Sequence, residues 1–311
     1  MVENSLKFGW VGAGRMGAEM IRRLAQSGGN VTVYNRTASK VEPLLKFGAK
    51  AASSVAELAG SDVVFVSVGS SEDFLSVTTG SGGLLTQSVS PKVIVDCSTV
   101  SIEASREVRE VASSKSVALL AAPVSGNPKV AEAGRLTMAV SGPRDAYELA
   151  KPALDEIVAG VTYVGDGDLA RLVKLCHNLF LGVVTQSLVE ITILAEKGGV
   201  SRQLFLEYLN KSVMGSTFTK YKSPALVNLD YHATFTSKLL RKDFDIGLQT
   251  ARDLEVPMPT AATVYQIVQA LVGEGYGDED FAAMIELQAR ASALKLVSEG
   301  AEVDDGLGVA N

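Results

Sequence analysis

Scarcity in this chain excludes more than abundance does. Cysteine is almost absent: Cys97 and Cys176 are the only two in 311 residues, and both sit in apolar stretches. They make neither a disulfide framework nor a metal-ligand spacing, so a reducing cytoplasm is expected and no metal site is predicted. Proline is sparse, 9 against 29 glycines, and 47% of the residues are hydrophobic, which excludes disordered and collagen-like classes. Basic excess is missing too. A net charge of -6 argues against a nucleic-acid partner, because such binders carry a basic stripe or patch. Near the start, Glu3 and Asn4 stand where a secretion signal would have a charged head and an apolar run, so no leader is predicted. Long hydrophobic runs are lacking as well. The most apolar stretch, Leu179 to Ala195, is interrupted by Thr185, Gln186, Ser187 and Glu190, and reads as a buried helix and not as a membrane span.

A chain of 311 residues exceeds the comfortable size of one hydrophobic core, so two domains are expected. Up to about residue 165, short β-branched runs alternate with amphipathic stretches, the order that builds a parallel sheet covered by helices. Strands are predicted at Lys7–Val11, Val31–Tyr34, Val63–Val68, Val93–Asp96, Val117–Ala121, Leu136–Val140 and Val161–Val164. Helices are predicted at Met16–Gln26, Ser39–Phe47, Val55–Ala59, Ile102–Ser113 and Asp145–Ile157. After Gly165 the alternation stops. A long helix is predicted from about Leu169 to Lys197, ended by Gly198 and Gly199. Further helices are predicted at Ser201–Asn210, Ser237–Leu254, Ala261–Glu274 and Asp280–Leu296, and a frayed tail from Gly300 to Asn311. The expected fold is α/β: a doubly wound Rossmann domain over residues 1–166, then a long linking helix and an all-α domain over residues 167–311.

Gly12-Ala13-Gly14-Arg15-Met16-Gly17 follows an apolar strand and opens a helix, the context a dinucleotide-binding turn requires. Gly12 would allow the tight turn, Gly14 the approach of a pyrophosphate, and Gly17 close packing of the helix, whose N-terminus favours anions. An NAD enzyme carries an acid at the end of the second strand to bind the ribose hydroxyls. That acid is absent. Asn35-Arg36-Thr37 stands there instead and can donate to a 2′-phosphate, so NADP is the expected coenzyme. Val68 and Thr99, at the ends of the third and fourth predicted strands, can touch the nicotinamide ribose, or serve as simple strand-end turn residues.

Pro123-Val124-Ser125-Gly126-Asn127 follows the fifth predicted strand, where its amides and the Ser125 hydroxyl can hold a substrate carboxylate, or form a simple turn. On the long helix, Lys174 and Asn178 are spaced i to i+4 and share one face, which Gly182 continues. Hydride addition to a carbonyl leaves negative charge on oxygen, and an ammonium there stabilises it and supplies the proton. In the oxidative direction the neutral amine would take the hydroxyl proton, which requires partial burial or a positive neighbour.

Taken together, the Gly12 to Gly17 turn, Asp96-Cys97-Ser98-Thr99, Ala122-Pro123-Val124-Ser125-Gly126, Gly165-Asp166-Gly167 through Lys174-Leu175-Cys176-His177-Asn178, and Lys242-Asp243 resemble the β-hydroxyacid dehydrogenase family in its own order. That family includes 3-hydroxyisobutyrate dehydrogenases and glyoxylate or succinic semialdehyde reductases. The resemblance implies that Lys174 is catalytic, that Asn178 and Ser125-Gly126 contact a carboxylate substrate, and that Thr99 and Lys242 contact coenzyme. It also implies homodimers or homotetramers packed through the α domains. Phe235 can cover the nicotinamide side of the cleft or be a plain core aromatic. The chain departs from the family at Asn127 (often glycine), Ala121 (often aspartate) and His177 (commonly asparagine). Asn127 is expected to add a donor or narrow the carboxylate pocket, and His177 to be a packing residue turned from the lysine face. Two other readings remain open at this point: an imine reductase on the same scaffold, against which Lys174 counts, and a non-catalytic NADP-binding module.

Overall fold

The computed structural model describes residues 6–308 and falls into two compact units, Met1–Lys174 and Leu175–Asn311, divided within one helix. Unit one alternates strands and helices: β1 (Lys7–Val11), α1 (Arg15–Gln26), β2 (Asn30–Tyr34), α2 (Glu42–Leu45), β3 (Lys50–Ala51), β4 (Val63–Val66), α3 (Ser71–Thr78), β5 (Val93–Asp96) and α4 (Ile102–Ser114). It continues with β6 (Ala118–Ala121), β7 (Val124–Ser125), α5 (Pro128–Glu132), β8 (Thr137–Ser141), α6 (Arg144–Ile157) and β9 (Gly160–Gly165), and ends in the first residues of α7 (Leu169–Lys197). Among the described residues the strands form one sheet in the order β3-β2-β1-β4-β5-β6-β8-β7, with β9 beside β8. The first six in that order run parallel, and β8 meets β6 and β7 antiparallel.

Central parallel strands are covered on both faces and so must be apolar throughout. Val63-Val64-Phe65-Val66 and Val93-Ile94-Val95 satisfy this, with every residue buried. Trp10 stacks on Phe65 at 4.8 Å between ring centroids, and Met20, Ile21 and Leu24 of α1 are fully buried. The register is what matters for the site. Tyr34 pairs with Val11, Val11 with Val66, Val66 with Asp96, and Asp96 with Ala121, so five strands end in one row. Strand order reverses at β1/β4, the switch point beside which ligands bind in such sheets.

The β1–α1 turn assigns each glycine a separate steric task. Gly12 has φ +99°, and a Cβ there would lie 2.1 Å from the Ser67 carbonyl oxygen. Gly17 closes the turn from the other side, since its Cβ would stand 2.2 Å from the Gly12 oxygen. Gly14 faces open space, with nothing within 4 Å of a built Cβ.

Several local expectations change in the structure. Ser39–Phe47 is a 3₁₀ turn at Ala38–Lys40 followed by the short α2, and Val55–Ala59 is a 3₁₀ turn at Ala56–Gly60. Pro43 lies in α2, where it has no N–H for a longer helix. Three helices escaped prediction: α3, whose Ser70 cap accepts from Asp73 N; α5, capped by Asn127; and α9 (Thr217–Asn228), which opens with a reciprocal Ser216/Thr219 capping box. The segment 280–296 is helical only in part, as a 3₁₀ turn at Phe281–Ala283 and α12 (Met284–Ala291).

Unit two holds the rest of α7, then α8 (Arg202–Lys211), α9, α10 (Ser237–Asp253), α11 (Pro259–Gly273) and α12. Leu188, Val189 and Ile193 of α7 pack with Leu206, Leu226, Phe244, Val268, Leu271 and Phe281 in one core. By length and composition α7 could cross a membrane, but half of its most apolar window is buried, as befits a core helix. Helix α10 approaches α7 closely because Gly182 lies under the Phe244 ring, where a Cβ would meet Cε2 at 2.4 Å. The expected frayed tail is instead ordered through residue 308. The Asn228 amide donates to Ala301 O and accepts from Ala301 N, and Leu307 is buried, so paired backbone and a covered side chain hold it; residues 309–311 lie outside the described residues.

A buried ion pair organises the loop before α10. Lys222 Nζ donates to Asp280 Oδ1 at 2.7 Å, with both side chains at most 3% exposed. Asp280 also accepts from Thr234 N, Thr234 Oγ1 and Ala282 N.

Gly12→Ala should destabilise unit one by about 1–3 kcal/mol from the forced left-handed backbone alone, whereas Gly14→Ala should cost about 1 kcal/mol or less; paired urea titrations measure both. Lys222→Met strands a buried carboxylate and should cost about 3–5 kcal/mol. Burial pushes the Asp280 carboxyl up, but the Lys222 ammonium and the donated hydrogen bonds outweigh it and hold the group below its ordinary value. A depressed folded pKa gives stability that is complete above the unfolded value of about 3.9 and lost as pH falls through the folded one. Acid denaturation below about pH 4 should therefore be blunted in Lys222→Met relative to wild type.

Candidate active site

The sheet edge gathers most of the residues singled out from sequence. Val11 leads into Gly12 and Ala13, Tyr34 into Asn35, Arg36 and Thr37, Val66 into Val68, Asp96 into Thr99, and Ala121 into Ser125. Helix α1 begins there with Gly14 as its N-cap and no side chain capping it, and its first turn carries Arg15, Met16 and no acid. Uncapped first-turn amides are donors in search of an acceptor. Open space beside Gly14 and positive dipole charge fit these residues to a pyrophosphate.

Asn35 has a structural task beside the phosphate contact expected of it. Its Oδ1 accepts from Ala13 N at 2.8 Å and its Nδ2 donates to Thr37 O at 2.9 Å, so its amide braces the glycine turn against the β2 end. Arg36 extends outward with its side chain 86% exposed, resting 3.3 Å from Asp73 on α3. Such an exposed pair is worth little, so the guanidinium is free to exchange Asp73 for a stronger anion. Thr37 is exposed beside it.

Val68 N donates to Ser98 Oγ at 2.9 Å, which ties the loop after β4 to the loop after β5, where Thr99 is exposed. Cys97 is not a nucleophile, because burial, with the Asp96 charge beside it, pushes its thiol far above the ordinary range. Ser125 is half-buried in β7. Gly126 has φ +132°, and a Cβ there would lie 2.6 Å from Leu136 Cδ2, so only glycine fits. Asn127 caps α5 through Val130 N at 3.0 Å and is 7% exposed. The asparagine that departs from the family pattern thus has a local structural use.

Lys174 is half-buried on α7 at the end of unit one. Asn178, one turn on in unit two, is 4% exposed, and its amide is held at both ends: Nδ2 donates to Asp243 Oδ2 at 2.6 Å, and Oδ1 lies 3.0 Å from His177 Nδ1. His177 is exposed and not a packing residue, and its ring orients Asn178. Sequence reasoning gave Asp243 no role. It is 2% exposed, and its Oδ1 has no hydrogen-bond partner among the described residues and stands 3.6 Å from Lys242 Nζ. A buried acid in a charged helix segment was the available signal. Lys242 itself is exposed, and Phe235 is half-buried, edge-on to Phe281 at 5.9 Å.

Residues 7–165 match the family model described as the NAD binding domain of 6-phosphogluconate dehydrogenase, and residues 169–288 match the NAD-binding model of NADP-dependent 3-hydroxyisobutyrate dehydrogenase. The chain is 31% identical to glyoxylate/succinic semialdehyde reductase 2 of Arabidopsis thaliana, over 91% of this chain and 79% of that one. It is 32% identical to 2-(hydroxymethyl)glutarate dehydrogenase of Eubacterium barkeri, over 92% and 96%. The crystal structure of a 3-hydroxyisobutyrate dehydrogenase from Salmonella typhimurium superposes with a TM-score of 0.80 at 26% identity, covering 91% of this chain and all of that one. With a nicotinamide-coenzyme turn in place and relatives of this kind along nearly its whole length, the chain belongs to the β-hydroxyacid dehydrogenase family, oxidoreductases that act on the CH–OH group of hydroxy acids.

Proposed function

We propose that this protein is an NADP-dependent oxidoreductase that interconverts a short hydroxy acid and its aldehyde or keto acid, with Lys174 as general acid and base. The observation that carries the reading is the pairing, on one face of α7, of half-buried Lys174 with an Asn178 amide already fixed by Asp243 and His177. Residues 1–166 hold the coenzyme in this proposal, and residues 167–311 supply the substrate side and the surface for a homodimer or homotetramer, in the cytoplasm. The coenzyme, when bound, supplies or accepts the hydride at the carbonyl carbon.

The chain's own residues do the rest. Amides at the start of α1 take the pyrophosphate, and Arg36 and Thr37 take the 2′-phosphate, where the missing acid would otherwise repel it. Val68, Thr99, Phe235 and Lys242 bound the nicotinamide half. Ser125 and the Gly126 backbone hold the substrate carboxylate, and Asn178 donates to the substrate beside the reacting oxygen. In reduction the Lys174 ammonium stabilises the developing alkoxide and gives it a proton; in oxidation the neutral amine removes that proton. The names of the Arabidopsis relative, a glyoxylate/succinic semialdehyde reductase, and of the bacterial one, a 2-(hydroxymethyl)glutarate dehydrogenase, support the reading of a short carboxylate as substrate.

NADPH oxidation against glyoxylate, succinic semialdehyde and methylmalonate semialdehyde should reveal at least one substrate, and Lys174→Ala should lower its turnover by about 10²–10⁴-fold while NADPH still binds. Near-wild-type turnover in that variant would remove the lysine mechanism. Arg36→Ala should raise KM for NADPH by about tenfold or more, as the loss of a charge-assisted pair predicts, and leave KM for NADH nearly unchanged; equal effects on the two coenzymes would sink the NADP assignment.

A further inference from the structure

Three positions that sequence reading selects separately, Val68, Thr99 and Lys174, are joined by a polar network to which neither motif nor family resemblance assigns a role. At its centre is Arg171, on the first turn of α7 and three residues before Lys174, with a side chain only 4% exposed. Its Nη2 donates to Asp96 Oδ2 at 2.6 Å, and Asp96, the last residue of β5, is completely buried. The other oxygen of Asp96 accepts from Ser98 N at 2.9 Å, while Arg171 Nη1 reaches Ser98 O at 3.4 Å. Ser98 is therefore gripped from both backbone sides. Its hydroxyl in turn receives Val68 N, and Thr99 is the next residue. On the opposite side Arg171 Nε lies 3.3 Å from Asp168 Oδ1, which Arg109 Nη2 and Ser105 Oγ of α4 also bond, at 2.8 and 2.6 Å.

We infer that Arg171 is a positioning residue: it locks the turn of α7 that presents Lys174 to the two strand-end loops that carry Val68 and Thr99, so that general acid and coenzyme loops move as one body. This rests on the function proposed above and adds to it the part that sets the distance between lysine and nicotinamide. Arginine suits the task because its planar fork engages the Asp96 carboxylate, the Ser98 carbonyl and Asp168 together and cannot lose its proton. A lysine offers a single point charge on a flexible stem, and an apolar side chain offers no direction. Displacement of reacting groups by about 1 Å costs about 10²-fold in rate, so a loosened α7 turn should be visible in turnover without any group that touches substrate being altered.

The test compares Arg171→Met, Arg171→Lys and the doubly neutral Asp96→Asn/Arg171→Gln, the last retaining a hydrogen-bonded pair without stranding a buried charge. For each, NADPH affinity is measured by fluorescence, and kcat and the primary isotope effect from 4-deuterated NADPH are normalised to the coenzyme-binding fraction. Positioning predicts kcat lower by about 10²-fold in Arg171→Met with a larger isotope effect, a weaker loss in the double variant, and recovery of less than half of the logarithmic loss by Arg171→Lys, which keeps the charge but not the fork. A merely structural role lowers Tm and leaves normalised kcat and isotope effect at wild-type values in whichever variants fold; that result overturns the inference. If the wild-type protein transfers hydride to none of the short acids, the function itself fails, and NADPH affinity decides alone: an unchanged Kd in Arg171→Met would also end the role for Arg171.

Discussion

Everything at the coenzyme side depends on hydrogen-bond register. Parallel strands space their ladders evenly, and each pairing here ends at the same level, so Tyr34, Val11, Val66, Asp96 and Ala121 form a single row. A slip of one residue in any of them would exchange the side chains packed on its two faces and move its loop by about 3.3 Å. Continuous burial of Val63–Val66 and Val93–Asp96 makes such a slip costly. Loop chemistry can therefore vary along the edge while its position stays fixed. The glycine turn works on the same level. Backbone packed against backbone at Gly12 and Gly17 fixes where α1 starts, and open space at Gly14 leaves its uncapped amides facing outward.

The legible part of this fold was the part written in long patterns. Apolar runs ending in glycine or turn residues marked β1, β2, β4 and β5 nearly to the residue, and the 3.6-residue periodicity of α7 showed its full length. Short elements were lost because their signals are local and chemical. Helices α3 and α5 are held by the Ser70 and Asn127 caps, and α9 by a box in which Thr219 substitutes for the usual acid or amide. The tail carries no sequence pattern because it is held by Asn228 and, at its entry, by Glu299, which accepts from Arg202 N and Gln203 N, contacts about 70 to 100 positions apart in the chain.

The candidate site divided along the same line. Glycines and Lys174 announce themselves through steric need and through a charge in apolar company. Asn35 and Asn127 were read as ligand contacts, yet each satisfies nearby backbone, at Ala13 N and Thr37 O and at Val130 N. Asparagine at a strand end is equally suited to both tasks, and only geometry separates them. Asp243 and Arg171 had no visible partner in the sequence, since theirs lie 65 and 75 residues away.

Two ion pairs have both partners buried, Arg171 with Asp96 in unit one and Lys222 with Asp280 in unit two, among the described residues, and stability alone does not account for either. Well-packed apolar side chains often do as well or better at holding two elements together. What apolar side chains lack is the means to bind backbone amides from irregular loops, which are buried and must have acceptors. Asp96 takes Ser98 N, and Asp280 takes Thr234 N and Ala282 N. The carboxylate is thus the organiser of the loop, and the cation is there because an ionised acid without one would be intolerable at that depth. Complete burial pushes the Asp96 carboxyl above its ordinary value, and the Arg171 guanidinium and Ser98 N–H offset only part of that rise. The charge is a consequence of the loops needing a directional acceptor, which is why both pairs stand beside segments that carry proposed site residues.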